Sequence, residues 1–142
     1  EIIKKKHIVG YSSIHNEPDL TAFYEYCLAN KIKIYFPKWV SGEYICVQVQ
    51  SLNDFHIGNY KIPEPIKNIP LLSMYDCPTT CWLIPGIAFD SNFHRIGYGK
   101  GVYDTLLKNK TALKIGICYP FQRIETINAS PNDIACDRLI TS

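Results

Sequence analysis

Residues 81–107 read Cys-Trp-Leu-Ile-Pro-Gly-Ile-Ala-Phe-Asp-Ser-Asn-Phe-His-Arg-Ile-Gly-Tyr-Gly-Lys-Gly-Val-Tyr-Asp-Thr-Leu-Leu. The apolar run Trp82 to Ile84 has the length of a buried strand, and Pro85-Gly86 breaks it. Val102, Tyr103, Leu106 and Leu107 then recur at helical spacing, so the stretch predicts strand, loop and helix. Between strand and helix, Gly97, Gly99 and Gly101 alternate with Ile96, Tyr98 and Lys100. Glycines there let the backbone take unusual dihedrals and present bare N–H groups where a helix begins, which suits an anion. Arg95 and Lys100 add two positive charges, favouring a polyphosphate over a single carboxylate. The pattern is neither a P-loop nor a dinucleotide fingerprint, since it lacks Gly-x-x-x-x-Gly-Lys-Ser/Thr and Gly-x-Gly-x-x-Gly. The alternative is a turn whose glycines only let the helix pack close to the sheet.

The chain around this stretch supplies two matching halves. His7 to Tyr11 reads as a short strand, and Leu20, Phe23, Tyr24, Cys27 and Leu28 mark an amphipathic helix, with Asn16 as the expected cap and Pro18 in its first turn. Lys31 to Phe36 is the strand that follows, completing a βαβ unit with a parallel pair. Leu113 to Tyr119 alternates as a strand and closes a second βαβ unit around the glycine loop, and Leu139 to Thr141 forms the last strand. Tyr44 to Gln50 reads as a half-buried strand, while Ser51 to Tyr75 reads as irregular. Two such units predict an α/β fold: a three-layer, doubly wound, mainly parallel sheet with helices on both faces.

Composition bounds the partners. The 142 residues fit one domain spanning 1–142. Lys plus Arg exceed Asp plus Glu by 15 − 13 = 2, too small a basic excess for a dedicated nucleic-acid binder. The longest apolar run, Cys81 to Phe89, contains Pro85 and Gly86 and suits neither a membrane span nor a leader, so a cytoplasmic protein is expected. Six cysteines, at positions 27, 46, 77, 81, 118 and 136, form no Cys-x-x-Cys pair. Free, partly buried thiols are expected rather than a zinc site. Glu1 to Lys6 reads as a solvated basic lead-in.

Taken together, Pro85-Gly86, Phe89-Asp90, Arg95, Gly97-Tyr98-Gly99-Lys100-Gly101 and Tyr103-Asp104 resemble the signature of the 5-formyltetrahydrofolate cyclo-ligase family, also called methenyltetrahydrofolate synthetase. Glu17-Pro18-Asp19-Leu20 is similar to the family's Glu-x-Asp-Thr. Ile62-Pro63-Glu64-Pro65 resembles its Glu-Pro, though a rigid connector reads the same way. Phe121-Gln122 and Asn132-Asp133-Ile134 with Asp137 resemble its closing motifs. The resemblance implies ATP- and Mg²⁺-dependent cyclisation of 5-formyltetrahydrofolate to 5,10-methenyltetrahydrofolate by a monomer acting on small molecules alone. It implies Arg95 and Lys100 as catalytic residues and Arg95, Ile96, Gly97, Tyr98, Gly99, Lys100, Gly101, Val102 and Tyr103 at the ATP. It places Glu17, Tyr98, Gly99, Lys100, Gly101 and Val102 at the folate, and Asp104 and Asp133 at Mg²⁺. Two departures stand out: members carry a further N-terminal helical segment with phosphate-binding basic residues, and Val102 replaces a tyrosine. The rivals are a folate- or nucleotide-binding pseudoenzyme, and an α/β enzyme holding a phosphorylated sugar or a coenzyme A ester.

Overall fold

The strand β1 (His7–Val9) is buried along its whole length, and the chain folds outward from it in both directions. In chain order there follow α1 (Thr21–Ala29), β2 (Lys33–Val40), β3 (Glu43–Val49), β4 (Phe55–Ile57), β5 (Pro63–Pro65), β6 (Thr80–Ile84), β7 (Ala88–Phe89) and β8 (Arg95–Ile96). The chain closes with α2 (Val102–Leu107), β9 (Leu113–Cys118), a 3-10 turn at Pro120–Gln122, and β10 (Arg138–Thr141). This computed structural model describes residues 4–14, 16–58, 61–67, 79–99, 101–108, 111–131 and 133–141.

The main sheet has the order β10-β9-β6-β1-β2-β3 and is parallel throughout, save that β3 runs antiparallel to β2. Parallel strands are covered on both faces, which is why β6 reads Thr-Cys-Trp-Leu-Ile with every residue buried. Register sorts the core into two layers. Ile8 stands beside Ile34 and Cys81 on one face, and Val9 beside Tyr35 and Trp82 on the other. Trp82, Phe36 and Phe89 are the largest fully buried side chains, each worth about 1.5–3 kcal/mol of burial. Helix α1 packs on the Ile34 face, where the Tyr24 ring meets the edge of Phe36 at 5.0 Å. The crossovers β1–α1–β2 and β6–α2–β9 leave the sheet centre in opposite directions. Right-handed connections then put the two helices on opposite faces, the expected doubly wound arrangement.

Several local expectations need correcting. Helix α1 begins at Thr21, without a side-chain cap on its Leu20 N-cap. Asp19, rather than Asn16, organises the approach, its Oδ1 accepting the Thr21 N–H at 2.9 Å and the Thr21 hydroxyl at 2.6 Å. Strand β2 runs on through Pro37 to Val40, because β3 pairs with that whole length. Within 51–67, β4 and β5 form a small antiparallel sheet instead of irregular chain; residues 68–75 lie outside those described. Five cysteines, at 27, 46, 81, 118 and 136, are buried thiols outside any disulfide, and Cys77 lies outside the described residues.

Candidate functional site

At the centre of the sheet the chain leaves β1 toward one edge and β6 toward the other, so the loops beyond their carboxyl ends diverge and leave a crevice. A cavity of about 350 Å³ occupies it. Its described walls come from the loop after β1, the middle of β2, the start of β3, the β5 strand, residues 95–99 and 101–104, and Ile127, Asn128 and Asp133.

The sequence between β6 and α2 is more ordered than a loop. Strands β7 and β8 pair Phe89 with Arg95 and Ala88 with Ile96, a hairpin that periodicity did not signal because each strand has only two residues. Asp90, fully buried, holds this hairpin. Its Oδ1 accepts the Asn92 and His94 N–H groups at 2.9 and 3.0 Å, and its Oδ2 accepts the Ile127 N–H at 2.9 Å. Burial alone would raise its pKa, yet these bonds and the His94 ring hold the carboxyl below its ordinary value. Asp90 also ties the 127–133 loop to the glycine stretch.

The hairpin delivers Arg95. Its Nη1 donates to the Pro85 carbonyl at 3.3 Å, and its guanidinium carbon lies 5.3 Å from the centre of the Tyr103 ring. Its Nε is buried without a hydrogen-bond partner. A Cβ on Gly97 would fall 2.7 Å from Arg95 Nη1, so glycine is what lets the guanidinium lie against the loop. Gly99 and Gly101 serve differently, with φ of +80° and +63°, and Gly101 is the N-cap of α2. Ile96, Tyr98, Val102 and Tyr103 join these three glycines and Arg95 on the cavity wall. Lys100 lies outside the described residues.

Glu17, 6% exposed, lines the same cavity as the glycine loop. It lies in the β1–α1 loop, ahead of the helix, so it is no first-turn partner of a helix dipole. Two tyrosines shape that loop: Tyr11 donates its hydroxyl to the Pro18 carbonyl, and the Tyr24 hydroxyl donates to the Tyr11 carbonyl while accepting its N–H. Glu17 Oε2 accepts the Ile14 N–H at 3.0 Å. Burial pushes its carboxyl up to about 7, against the pull of that bond and of Arg95. Tyr98 across the cavity is raised by burial and then by the Glu17 charge.

Asp104 and Asp133 both line the cavity. Asp104 Oδ1 accepts the Ile134 N–H at 3.2 Å, and Asp133 Oδ2 accepts the Ser130 N–H at 2.8 Å, leaving a second oxygen on each. Among the described residues no cluster of three or more His, Cys, Asp or Glu side chains could hold a metal. A pair of carboxylates still fits Mg²⁺, which commonly takes one or two carboxylates and completes its shell with water and substrate phosphate.

The structure adds residues that sequence left unassigned. Glu64, on β5, is buried at the cavity and accepts the Trp39 N–H at 3.3 Å, with Phe36, Pro37 and Tyr44 beside it on the wall. Its Pro-x-Pro setting reads as a connector, and only its pairing with β4 turns it inward. Ile127 and Asn128 also reach the cavity; nothing in their local sequence marks them.

The family model described as the 5-formyltetrahydrofolate cyclo-ligase family matches residues 1–142. The 5-formyltetrahydrofolate cyclo-ligase of Mycoplasma pneumoniae is 33% identical over 138 residues, covering 95% of this chain and 72% of that protein. The enzyme of the same name from Mycoplasma genitalium is 34% identical with the same coverage. Among solved structures, the 5,10-methenyltetrahydrofolate synthetase of Aquifex aeolicus superposes with a TM-score of 0.77 at 32% identity, covering 99% of this chain and 70% of that one.

Proposed function

The chain belongs to the 5-formyltetrahydrofolate cyclo-ligase family, a family of ligase enzymes of one-carbon folate chemistry, and on that premise we propose that it cyclises 5-formyltetrahydrofolate to 5,10-methenyltetrahydrofolate at the expense of ATP and with Mg²⁺. The observation that carries this reading is the convergence of Arg95 and the glycine loop, Glu17, and the Asp104/Asp133 pair on one cavity.

The chemistry explains the residue types. The formyl oxygen must attack the γ-phosphate, so phosphate charge has to be neutralised and both reactants held in line. Arg95, fixed by Pro85 and Tyr103, supplies a positive charge that need not reorganise. Lys100, between Gly99 and Gly101 in sequence, supplies a second. Ile96, Gly97, Tyr98, Gly99, Gly101, Val102 and Tyr103 complete the nucleotide side, with Tyr98, Gly99 and Gly101 shared with the folate beside Glu17. Asp104 and Asp133 would hold Mg²⁺, which when bound neutralises phosphate charge. The apolar wall of Phe36, Pro37 and Tyr44 suits the flat rings of the folate.

With this reading go the expectations that residues 1–142 form one domain and that the enzyme acts as a cytoplasmic monomer on small molecules. No described helix is long and apolar enough to cross a membrane. Mixing the chain with 5-formyltetrahydrofolate and MgATP, and following the ultraviolet absorbance of the methenyl product, tests it. Turnover supports the reading, whereas binding of both substrates without product makes the chain a pseudoenzyme.

A further inference from the structure

The proposed reaction leaves one proton to be moved. As the formyl oxygen bonds to the γ-phosphorus, the bond to ADP breaks. N10 then attacks the activated carbon, and the carbon–oxygen bond breaks to release phosphate. N10 begins with one hydrogen and ends with none, while phosphate departs as its monoprotonated dianion. The proton lost by one is gained by the other, so no outside acid or base is consumed, but a group must carry it from N10 to the phosphate within the site.

Two buried carboxyls line the cavity, and their surroundings differ. Glu64 is set on the β2–β5 wall with its Oε1 on the Trp39 N–H. Glu17 lies in the β1–α1 loop on the cavity wall, with one oxygen on the Ile14 N–H. Arg95 from β8 acts on the Glu17 carboxyl, and the Glu17 charge in turn is felt by Tyr98 of the glycine loop, Tyr11 beyond β1, Tyr24 of α1 and Tyr103 of α2. The tyrosines are neutral at working pH, so Arg95 is the charge acting on Glu17 among the described residues. Arg95, assigned above to the phosphate, lines the same cavity as Glu17 and its charge reaches that carboxyl, so Glu17 shares the cavity in which the formyl group is to react.

We propose that Glu17 takes the proton from N10 and hands it to the departing phosphate. This rests on the reaction proposed above. A carrier must gain and lose the proton with similar ease, and the Glu17 carboxyl, lifted by burial to about 7, meets that condition near neutral pH. A group serving only to accept pterin hydrogen bonds would gain from a low pKa instead.

The test compares wild type with Glu17→Gln, which keeps an oxygen for the Ile14 N–H, reading methenyl formation together with 5-formyltetrahydrofolate-dependent scrambling of ¹⁸O between the bridge and non-bridge positions of ATP. Scrambling reports phosphoryl transfer without needing the later proton step. Glu17→Gln is expected to lower kcat by roughly 10²–10⁴-fold with KM for the folate changed by less than about threefold, while scrambling continues. In wild type kcat/KM rises with pH through about 7 as the carboxyl becomes the base, and the variant loses that rise. Glu17→Asp keeps the rise at a lower rate. A raised KM with kcat intact makes Glu17 a binding group and overturns the proposal. Loss of scrambling along with product overturns it too, by placing Glu17 at phosphoryl transfer. If wild type itself forms no methenyl product, the reaction is wrong and this role falls with it.

Discussion

Gly97→Ala separates the phosphate role of Arg95 from its role in folding. The added Cβ would stand 2.7 Å from Arg95 Nη1, against 3.4 Å for an ordinary contact, so the guanidinium must retreat by about 3.4 − 2.7 = 0.7 Å. Gly97 itself has no positive φ, so alanine fits the backbone and only the arginine tip moves. In the free protein the loss is one 3.3 Å hydrogen bond to Pro85 and part of the Tyr103 contact. These cost on the order of 1–2 kcal/mol, partly offset by the ~0.4–1 kcal/mol that alanine gains by restricting the unfolded chain. Stability should fall by no more than about 1.6 kcal/mol, several degrees in Tm. Toward ATP the displaced charge forfeits a charge-assisted phosphate contact of about 1.5–3 kcal/mol, a roughly 10- to 150-fold weaker Kd. Calorimetric titration with MgATP and a thermal melt of the same sample read both numbers. MgATP binding within about twofold of wild type would refute the phosphate role. A stability loss above about 3 kcal/mol would show that Gly97 holds the fold rather than the ligand.

Three further outcomes follow from the carboxylates. Glu17 rises in the folded state from 4.5 to about 7, so its ionisation costs stability progressively between those values; Glu17→Gln should melt above wild type at about pH 8, by up to about 3 kcal/mol, and the gap should close below about pH 4. Asp90→Ala should lose at least about 3 kcal/mol in denaturant unfolding, because it orphans the Asn92, His94 and Ile127 N–H groups, and the wild-type advantage should shrink as acid protonates the depressed Asp90 carboxyl. Asp104→Asn and Asp133→Asn should each raise the Mg²⁺ needed for half-maximal turnover by roughly tenfold or more with KM for the folate unchanged, and an unchanged Mg²⁺ requirement would remove both from the metal.

The fold was legible where burial imposes a period. β6 and β9 are covered on both faces, so their apolar runs stand out, and α1 shows its stripe over Leu20, Phe23, Tyr24, Cys27 and Leu28. What stayed hidden was set by distant pairing. Pro37 reads as a strand end, yet β3 continues the ladder past it. The two-residue strands β7 and β8 are too short to alternate and exist because Asp90 gathers their connecting loop. The site divides the same way. Arg95, the glycines, Asp104 and Glu17 occur in local motifs that chemistry can interpret, and Glu64 in a motif that reads equally as a connector, whereas Asn128 meets them only through folding.

Glu17 and Asp90 show how structure separates a functional carboxylate from a scaffolding one when both are buried. Each loses hydration, which by itself raises a pKa. Asp90 recovers what it loses, because three backbone N–H groups and the His94 ring favour its charged form. Its charge thus serves the fold, joining the 89–95 hairpin to the loop that carries Asp133. Glu17 has one backbone N–H and the field of Arg95, too little to offset its burial. The free protein would be more stable with an amide there, so stability cannot account for the acid. A group that the fold holds at a cost, in the cavity where the glycine loop and the aspartate pair converge, is explained by what it does to a bound substrate.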